Sequence, residues 1–413
     1  MPSRAPALAL MGLIVPIGLA CSAPGQDTAA PRDEPATEED HGKVAGAAEL
    51  SEPAYGLTTV DPSGVVRHLD LVEGAETGIA DLGPATKVQT DGRFLFVDVA
   101  GGVDVVDSGV WTWDHVDHFH YYRAEPRGVG RLTGAGPSNV ATTTSSTSGG
   151  TGVFFTETGE AVLLDTAALA DGGLTERYRL EVPPHEGLLV PVGEHALLTE
   201  PGPDGTPDRV VALDPEGERL PGAAHRCERA SGTITTRVGT VVGCADGALL
   251  ATSDGDRLKV ERIPYPAGRP APRATSFAGR DGRPTVAALA GRDRIWLLDN
   301  RQRAWRLLDA PVALRQVTAV DDDDEHVLGL TVDGRVAVID GVTGDLLSTT
   351  PPLAAASLGS GVGEPVLVVD QQRAYLSAPA ERRLHEIDFR DGARVARTFP
   401  TPTSPLFTAG TGR

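Results

Sequence analysis

The apolar positions of this chain fall into short runs that recur at a steady interval. Each unit is a short apolar strand, a turn rich in Gly and Asp, and an alternating strand that usually closes at or near Asp. The units run from Gly56 to Asp70, Phe94 to Asp107, Val153 to Asp165, Ala196 to Asp214, Val241 to Ala251, Val286 to Asp299, Val327 to Asp340 and Ala374 to Asp388. They begin about 38 to 60 residues apart, mostly in the forties, a period that suits one four-stranded blade per unit. The pattern predicts an all-β chain folded as a β-propeller of eight blades, with seven as the alternative. Two stacked β-sandwiches are the competing architecture and explain the regular period less well. A propeller hides its sheet edges by closing into a ring, and Pro405-Leu406-Phe407-Thr408 is placed to lend a strand to the first blade.

Composition strengthens this picture. Of 413 residues, 49 are Gly and 32 Pro, as many tight turns between short strands require. An apolar fraction of 40% is enough for a buried core. The net charge of −20 speaks against a nucleic-acid partner, because that association draws its strength from Lys and Arg releasing counterions.

The two ends of the first fifty residues differ from the repeats. Residues 1–21 carry Arg4, the apolar stretch Ala7 to Val15, and a close on Gly18-Leu19-Ala20-Cys21. This is built like a secretory signal peptide, and small residues before a cysteine resemble a lipoprotein cleavage site, with Cys21 as the lipidated residue. Simple secretion, or a periplasmic location, is the alternative. Residues 22–52 hold eight acidic and two basic side chains among small and polar residues, which predicts a disordered acidic linker. The propeller is then expected over residues 53–413, exported, on the outer face of the cytoplasmic membrane, and touching the membrane only through the lipid anchor.

The remaining cysteines fit that compartment. Cys227 and Cys244 stand 17 positions apart, and a disulfide between them is the simplest reading, one that would contribute about 3 kcal/mol by the loop-entropy estimate. A Cys-based metal site is the other reading, with no CxxC to support it.

The longest interval, between the second and third units, contains Asp114-His115-Val116-Asp117-His118-Phe119-His120-Tyr121-Tyr122, where three of the ten histidines fall within six positions. On a strand His118 and His120 point to one face while His115 has the opposite parity, so His115 must lie in a turn for three imidazoles to converge. Imidazole suits Zn²⁺ first, then Cu²⁺, Ni²⁺ and Fe²⁺, and Asp117 or Asp114 could complete four-coordination. The competing reading is a polar strand with fortuitous histidines. The acidic run Asp321-Asp322-Asp323-Asp324-Glu325 lacks the Gly and spaced ligands of a calcium loop and reads as a solvated turn. GxSxG, HExxH, P-loop and CxxCH patterns are absent from the sequence, and aspartates such as Asp165 at strand ends read as turn-formers.

With these residues in view the chain resembles the AztD-type zinc metallochaperones, which work outside the membrane with a zinc ABC transporter. The resemblance rests on Trp111-Thr112 followed by His115 to Tyr122, where the family shows an HGDHxHYY-like box. It extends through Val153 to Glu160, Pro184-His185-Glu186-Gly187 and Gly243 to Gly247. It implies a monomeric β-propeller that binds zinc as its cargo and delivers it to the transporter's substrate-binding protein, with no catalytic residues. On that reading His115, His118 and His120 are ligands, Asp117 is the carboxylate nearest to them, and His185 stands where the family has paired histidines. The chain departs from the family at Pro137-Ser138-Asn139 and at Cys227-Glu228-Arg229-Ala230, where family histidines are missing. Two alternatives stay open. One is a ligand- or protein-binding propeller lipoprotein with a degenerate or structural metal site. The other is a metal-dependent enzyme, for which Glu125 is the local candidate base.

Overall fold

The computed structural model describes residues 42–114, 118–255 and 257–412. The signal-like segment, Cys21, linker residues 22–41, His115 and Asp117 lie outside the described residues. What is described is all-β apart from one short helix, Thr166–Ala170. No described helix is long and apolar enough to cross a membrane.

Eight antiparallel meanders follow one another along the chain, the expected eight-bladed propeller. The first blade is built from Gly56–Val60, Val65–Asp70 and Glu76–Asp81, and its innermost strand comes from the other end of the chain. Phe407–Thr411 pairs with Gly56–Val60 from Gly56 opposite Thr411 to Val60 opposite Phe407. Leu57 and Leu69 of this blade share a buried cluster with Tyr375 and Leu384 of blade eight, so the ring is closed by packing as well as by pairing. Blade six has three regular strands, and the segment around Ala278 takes the innermost place through single bridges to Ala287 and, from Gly279, to Ala319 of blade seven.

The strand character follows from position in the blade. A middle strand is covered on both faces by neighbouring blades, so it tolerates an unbroken apolar run; Phe94, Leu95, Phe96 and Val97 are all fully buried. An outer strand such as Glu76–Asp81 lies mostly exposed. The aspartates at strand ends do form the turns: Asp70, Asp299, Asp340 and Asp370 each accept backbone N–H groups two and three residues on, an arrangement Asp favours locally.

Two sequence expectations are refined. The long interval after the second unit is an insertion inside blade two, between its third strand Gly102–Asp107 and its fourth strand Arg127–Thr133. The acidic segment is docked from residue 42 onward, where Val44 is 8% exposed and packs with Trp111 and Tyr122. Cys227 and Cys244 form a disulfide buried in the core shared by blades four and five.

Candidate metal centre

The insertion in blade two is a two-stranded hairpin, Val110–Asp114 against Phe119–Arg123, with a third, edge strand Ala48–Leu50 added to the second. Its root is held by an ion pair with almost no solvent access. Arg93 Nε and Nη2 donate to the two Asp107 oxygens at 3.0 and 2.8 Å, both side chains being at most 1% exposed, and the same carboxylate accepts Gly109 N–H where the hairpin departs. The Arg93 guanidinium lies 3.8 Å from the Trp111 ring centroid. Such bidentate pairs are strong and directional, which fixes the direction in which the hairpin leaves the blade.

Residues opposite each other in an antiparallel pair share a face, and faces alternate along each strand. One face therefore carries Glu49, Trp111, Trp113, His120 and Tyr122, with His118 just beyond the strand. Near the root this face is buried, with Trp111 and Tyr122 stacked at 5.4 Å; toward the tip it opens. The other face holds Thr112, Asp114, Phe119 and Tyr121 over a cavity of about 440 Å³ that is also lined by Arg237 and Arg280 from the propeller. Asp114 pairs with Arg237 at 2.7 Å, the Arg237 guanidinium lies 5.6 Å from the Phe119 ring, and Thr112 Oγ1 donates to Gly412 O. These contacts hold the hairpin against the propeller.

At the open tip His118 Nε2 and His120 Nε2 stand 2.9 Å apart, their rings edge to face. Two nitrogens bound to one tetrahedral Zn²⁺ at ordinary bond lengths are about 3.3 Å apart, so a few tenths of an ångström of separation admits the ion. His120 Nδ1 lies 2.6 Å from Glu49 Oε1, and Trp113 sits beside the His120 ring. Glu49 was placed in the linker by composition; its partner is 71 positions away, and no local sequence signal reveals the pairing.

His185 is elsewhere. It belongs to the connection between the last strand of blade three and the first of blade four, whereas the hairpin joins the third and fourth strands of blade two. In an antiparallel meander these two kinds of connection leave from opposite ends of the strands. The residue is 6% exposed. Nδ1 donates to Pro183 O at 2.8 Å and Nε2 contacts Thr199 Oγ1 at 2.9 Å, so both nitrogens are engaged within the fold. Burial lowers its pKa.

The acidic run of blade seven is the expected turn with Asp323, Asp324 and Glu325 exposed, but Asp321 and Asp322 are drawn inward. Asp322, Asp324 and His326 bring ligand atoms within 4.8 Å of one another. The Asp322 side chain is only 3% exposed; its Oδ2 faces His326 Nδ1 at 2.7 Å and Arg390 Nη2 at 2.8 Å, while Oδ1 accepts His326 N–H. Burial alone would raise the Asp322 pKa, but the hydrogen bonds from His326 and Arg390 outweigh it and hold the carboxyl below its ordinary range. A cation at this turn would have to displace Arg390.

No family model matches the chain. Among curated proteins, it is similar to the zinc chaperone AztD of Citrobacter koseri, 24% identical over 337 residues that make up 78% of each chain. Two crystal structures of Citrobacter koseri AztD, one of them the apo protein, share the fold with TM-scores of 0.74 and 0.75 at 21% identity, covering 87% of this chain and 98% and 99% of theirs. A more distant likeness, TM-score 0.54 at 15% identity over 88% of this chain and 76% of the other, is to the dihydro-heme d1 dehydrogenase NirN. The resemblance to AztD read from the histidine box thus extends over most of the chain.

Proposed function

We propose that this chain is an extracytoplasmic zinc metallochaperone that carries zinc at the hairpin tip and passes it to the substrate-binding protein of a zinc ABC transporter. The observation that carries the reading is the approach of His118 and His120 through their Nε2 atoms on an open edge of the fold, in a chain similar to a zinc chaperone over most of its length. His118 and His120 supply two ligands, and the resemblance gives His115 and Asp117 as the third and fourth. The resemblance also gives His185 a place among zinc-binding positions, but its engaged nitrogens support a structural role.

The ligand types suit a carrier. Neutral imidazoles bind Zn²⁺ without a formal charge and leave without needing a new proton, whereas thiolates must be reprotonated on release. An exposed tip lets an incoming partner's ligands replace these one at a time. The buried Cys227–Cys244 bridge accords with an oxidising compartment, and Cys21 is the lipidated residue that keeps the propeller at the outer face of the cytoplasmic membrane. The metal is cargo here, so no catalytic step is assigned.

The test is zinc analysis of the purified protein and of a His118→Ala/His120→Ala double variant. The parent should hold zinc and the double variant should lose it while keeping the circular-dichroism spectrum and disulfide of the parent. Equal zinc stoichiometry in both would reject the site. Transfer to the cognate binding protein in the presence of a chelator should outrun release of free zinc; transfer at only that release rate would reject direct delivery.

A further inference from the structure

The strand that borders the histidine strand comes from the segment that leads into the propeller, and it carries an acid. We propose that Glu49 is a positioning residue for the metal centre: it fixes the His120 ring with Nε2 directed at the ion, and the docked strap 42–50 exists in part to place it. This rests on the hairpin being the zinc site.

Glu49 Oε1 and His120 Nδ1 are 2.6 Å apart, and an ionised carboxylate can only accept, so Nδ1 carries the hydrogen. The neutral ring then has its lone pair on Nε2, the atom that faces His118 Nε2. A carboxylate on the far nitrogen of a ligating histidine fixes ring orientation and raises ligand basicity. The geometry points to this outer role and not to direct ligation, because Glu49 meets the nitrogen that faces away from His118.

The strap is built to hold that register. Ala48, Glu49 and Leu50 pair with Arg123, Tyr122 and Tyr121. Upstream, Trp111 Nε1 donates to Gly42 O at 3.1 Å and Val44 is buried beside Trp111. Gly42 has φ +72°, and a Cβ on it would fall 2.2 Å from the Trp113 ring, so only glycine fits. Two anchors and a three-residue ladder thus set where one carboxylate sits. Glu49 is half exposed and His120 less so, and exposed ion pairs add little stability. That makes a stability role a poor explanation for the contact.

In the full chain, Glu49→Leu should weaken zinc binding about 10- to 100-fold, the usual range for an outer partner of a metal ligand, measured by competition with a chelator. Glu49→Gln keeps an acceptor oxygen and should retain most of the affinity. In metal-free protein, ¹⁵N spectra of the His120 ring should show hydrogen on Nδ1 in the parent and in Glu49→Gln, and lose that preference in Glu49→Leu. Zinc affinity within twofold of the parent for Glu49→Leu, while His118→Ala/His120→Ala abolishes binding, overturns the positioning role and leaves the zinc site standing. Loss in Glu49→Leu as complete as in the histidine double variant overturns it in the other direction, making Glu49 a ligand. Equal losses in the Leu and Gln variants reduce its effect to charge and also overturn it. If the histidine double variant binds zinc as the parent does, the function reading itself is what failed.

Discussion

Two histidine–carboxylate pairs on this propeller look alike at the level of a single contact and differ in everything around it. His120 Nδ1 meets Glu49 at 2.6 Å in the inserted hairpin, and His326 Nδ1 meets Asp322 at 2.7 Å in the blade-seven turn. Glu49 comes from 71 positions away and its side chain is 50% exposed; Asp322 lies four residues before its partner and is 3% exposed. The other nitrogen of His120 meets a second imidazole, whereas the His326 ring packs edge-on against Phe389 at 5.5 Å. Asp322 also takes Arg390 on the oxygen it gives to His326. If the hairpin holds zinc as proposed, the Glu49 carboxylate orients a ligand because the far side of the His120 ring meets a second imidazole at an exposed position. Where the pair is buried and its acceptor is shared with a guanidinium, the same contact acts as a bracket for the turn.

The two pairs should differ most at Asp322. Asp322→Ala leaves His326 N–H and the ring Nδ1–H without their acceptor at a buried position, and each such loss is expensive. A loss of about 3 kcal/mol in urea unfolding is expected, with zinc stoichiometry unchanged. Glu49→Leu is its mirror image: unfolding free energy nearly unchanged, zinc affinity lowered. If Asp322→Ala removed an equivalent of zinc instead, the blade-seven turn would be a metal site and the contrast drawn between the pairs would collapse.

The buried histidines give a comparable effect through pH. His68 donates or accepts at Thr58 Oγ1 in the first blade and is 8% exposed. Burial lowers its pKa to about 4, more than the nearby Asp70 charge offsets. The unfolded imidazole titrates near 6.5, so between these values the unfolded chain binds the extra proton. The contribution is fully present above about pH 6.5 and is lost as pH falls to about 4, roughly 3 kcal/mol in all. Urea unfolding at stepped pH across this window should show that slope, and His68→Gln should flatten it. An unaltered slope in the variant would assign the acid sensitivity to other groups.

The eight-unit repeat was legible because middle strands, packed on both faces, keep unbroken apolar runs such as Phe94 to Val97. The closing strand at Phe407 could be read for the same reason, since an unpaired first blade needs a partner. The meeting of His118 and His120 followed from their two-residue spacing beside a strand. What could not be read depends on contacts between distant segments. The hairpin alternates like the blade around it, so its place between the third and fourth strands of blade two was hidden. Glu49 sits in a composition typical of linkers, and it is docked by contacts the sequence does not show: Gly42 and Val44 against Trp111, and the ladder to Tyr121, Tyr122 and Arg123. Asp322 looked solvated among four other acids, because sequence does not show that Arg390, 68 positions on, comes to cover it.

The smallest effect belongs to His185 and tests the division of histidines from the other side. The resemblance to zinc chaperones places it among metal-binding positions, while the structure gives Nδ1 to Pro183 O and Nε2 to Thr199, with the ring edge-on to Phe154 at 4.8 Å. A carbonyl can only accept, so Nδ1 holds the hydrogen and Nε2 is left to accept from the Thr199 hydroxyl. Binding a cation there would strip Thr199 of that bond at a position that burial already makes hostile to charge, as the lowered pKa of His185 records. His185→Gln, which can still donate and accept, should cost about 1 kcal/mol in urea unfolding and leave zinc stoichiometry and affinity within twofold of the parent. Loss of one zinc equivalent in this variant, with His118 and His120 intact, would place a second metal site at the opposite end of the blades from the hairpin and would mean that an engaged, buried imidazole can exchange its hydrogen bonds for a metal.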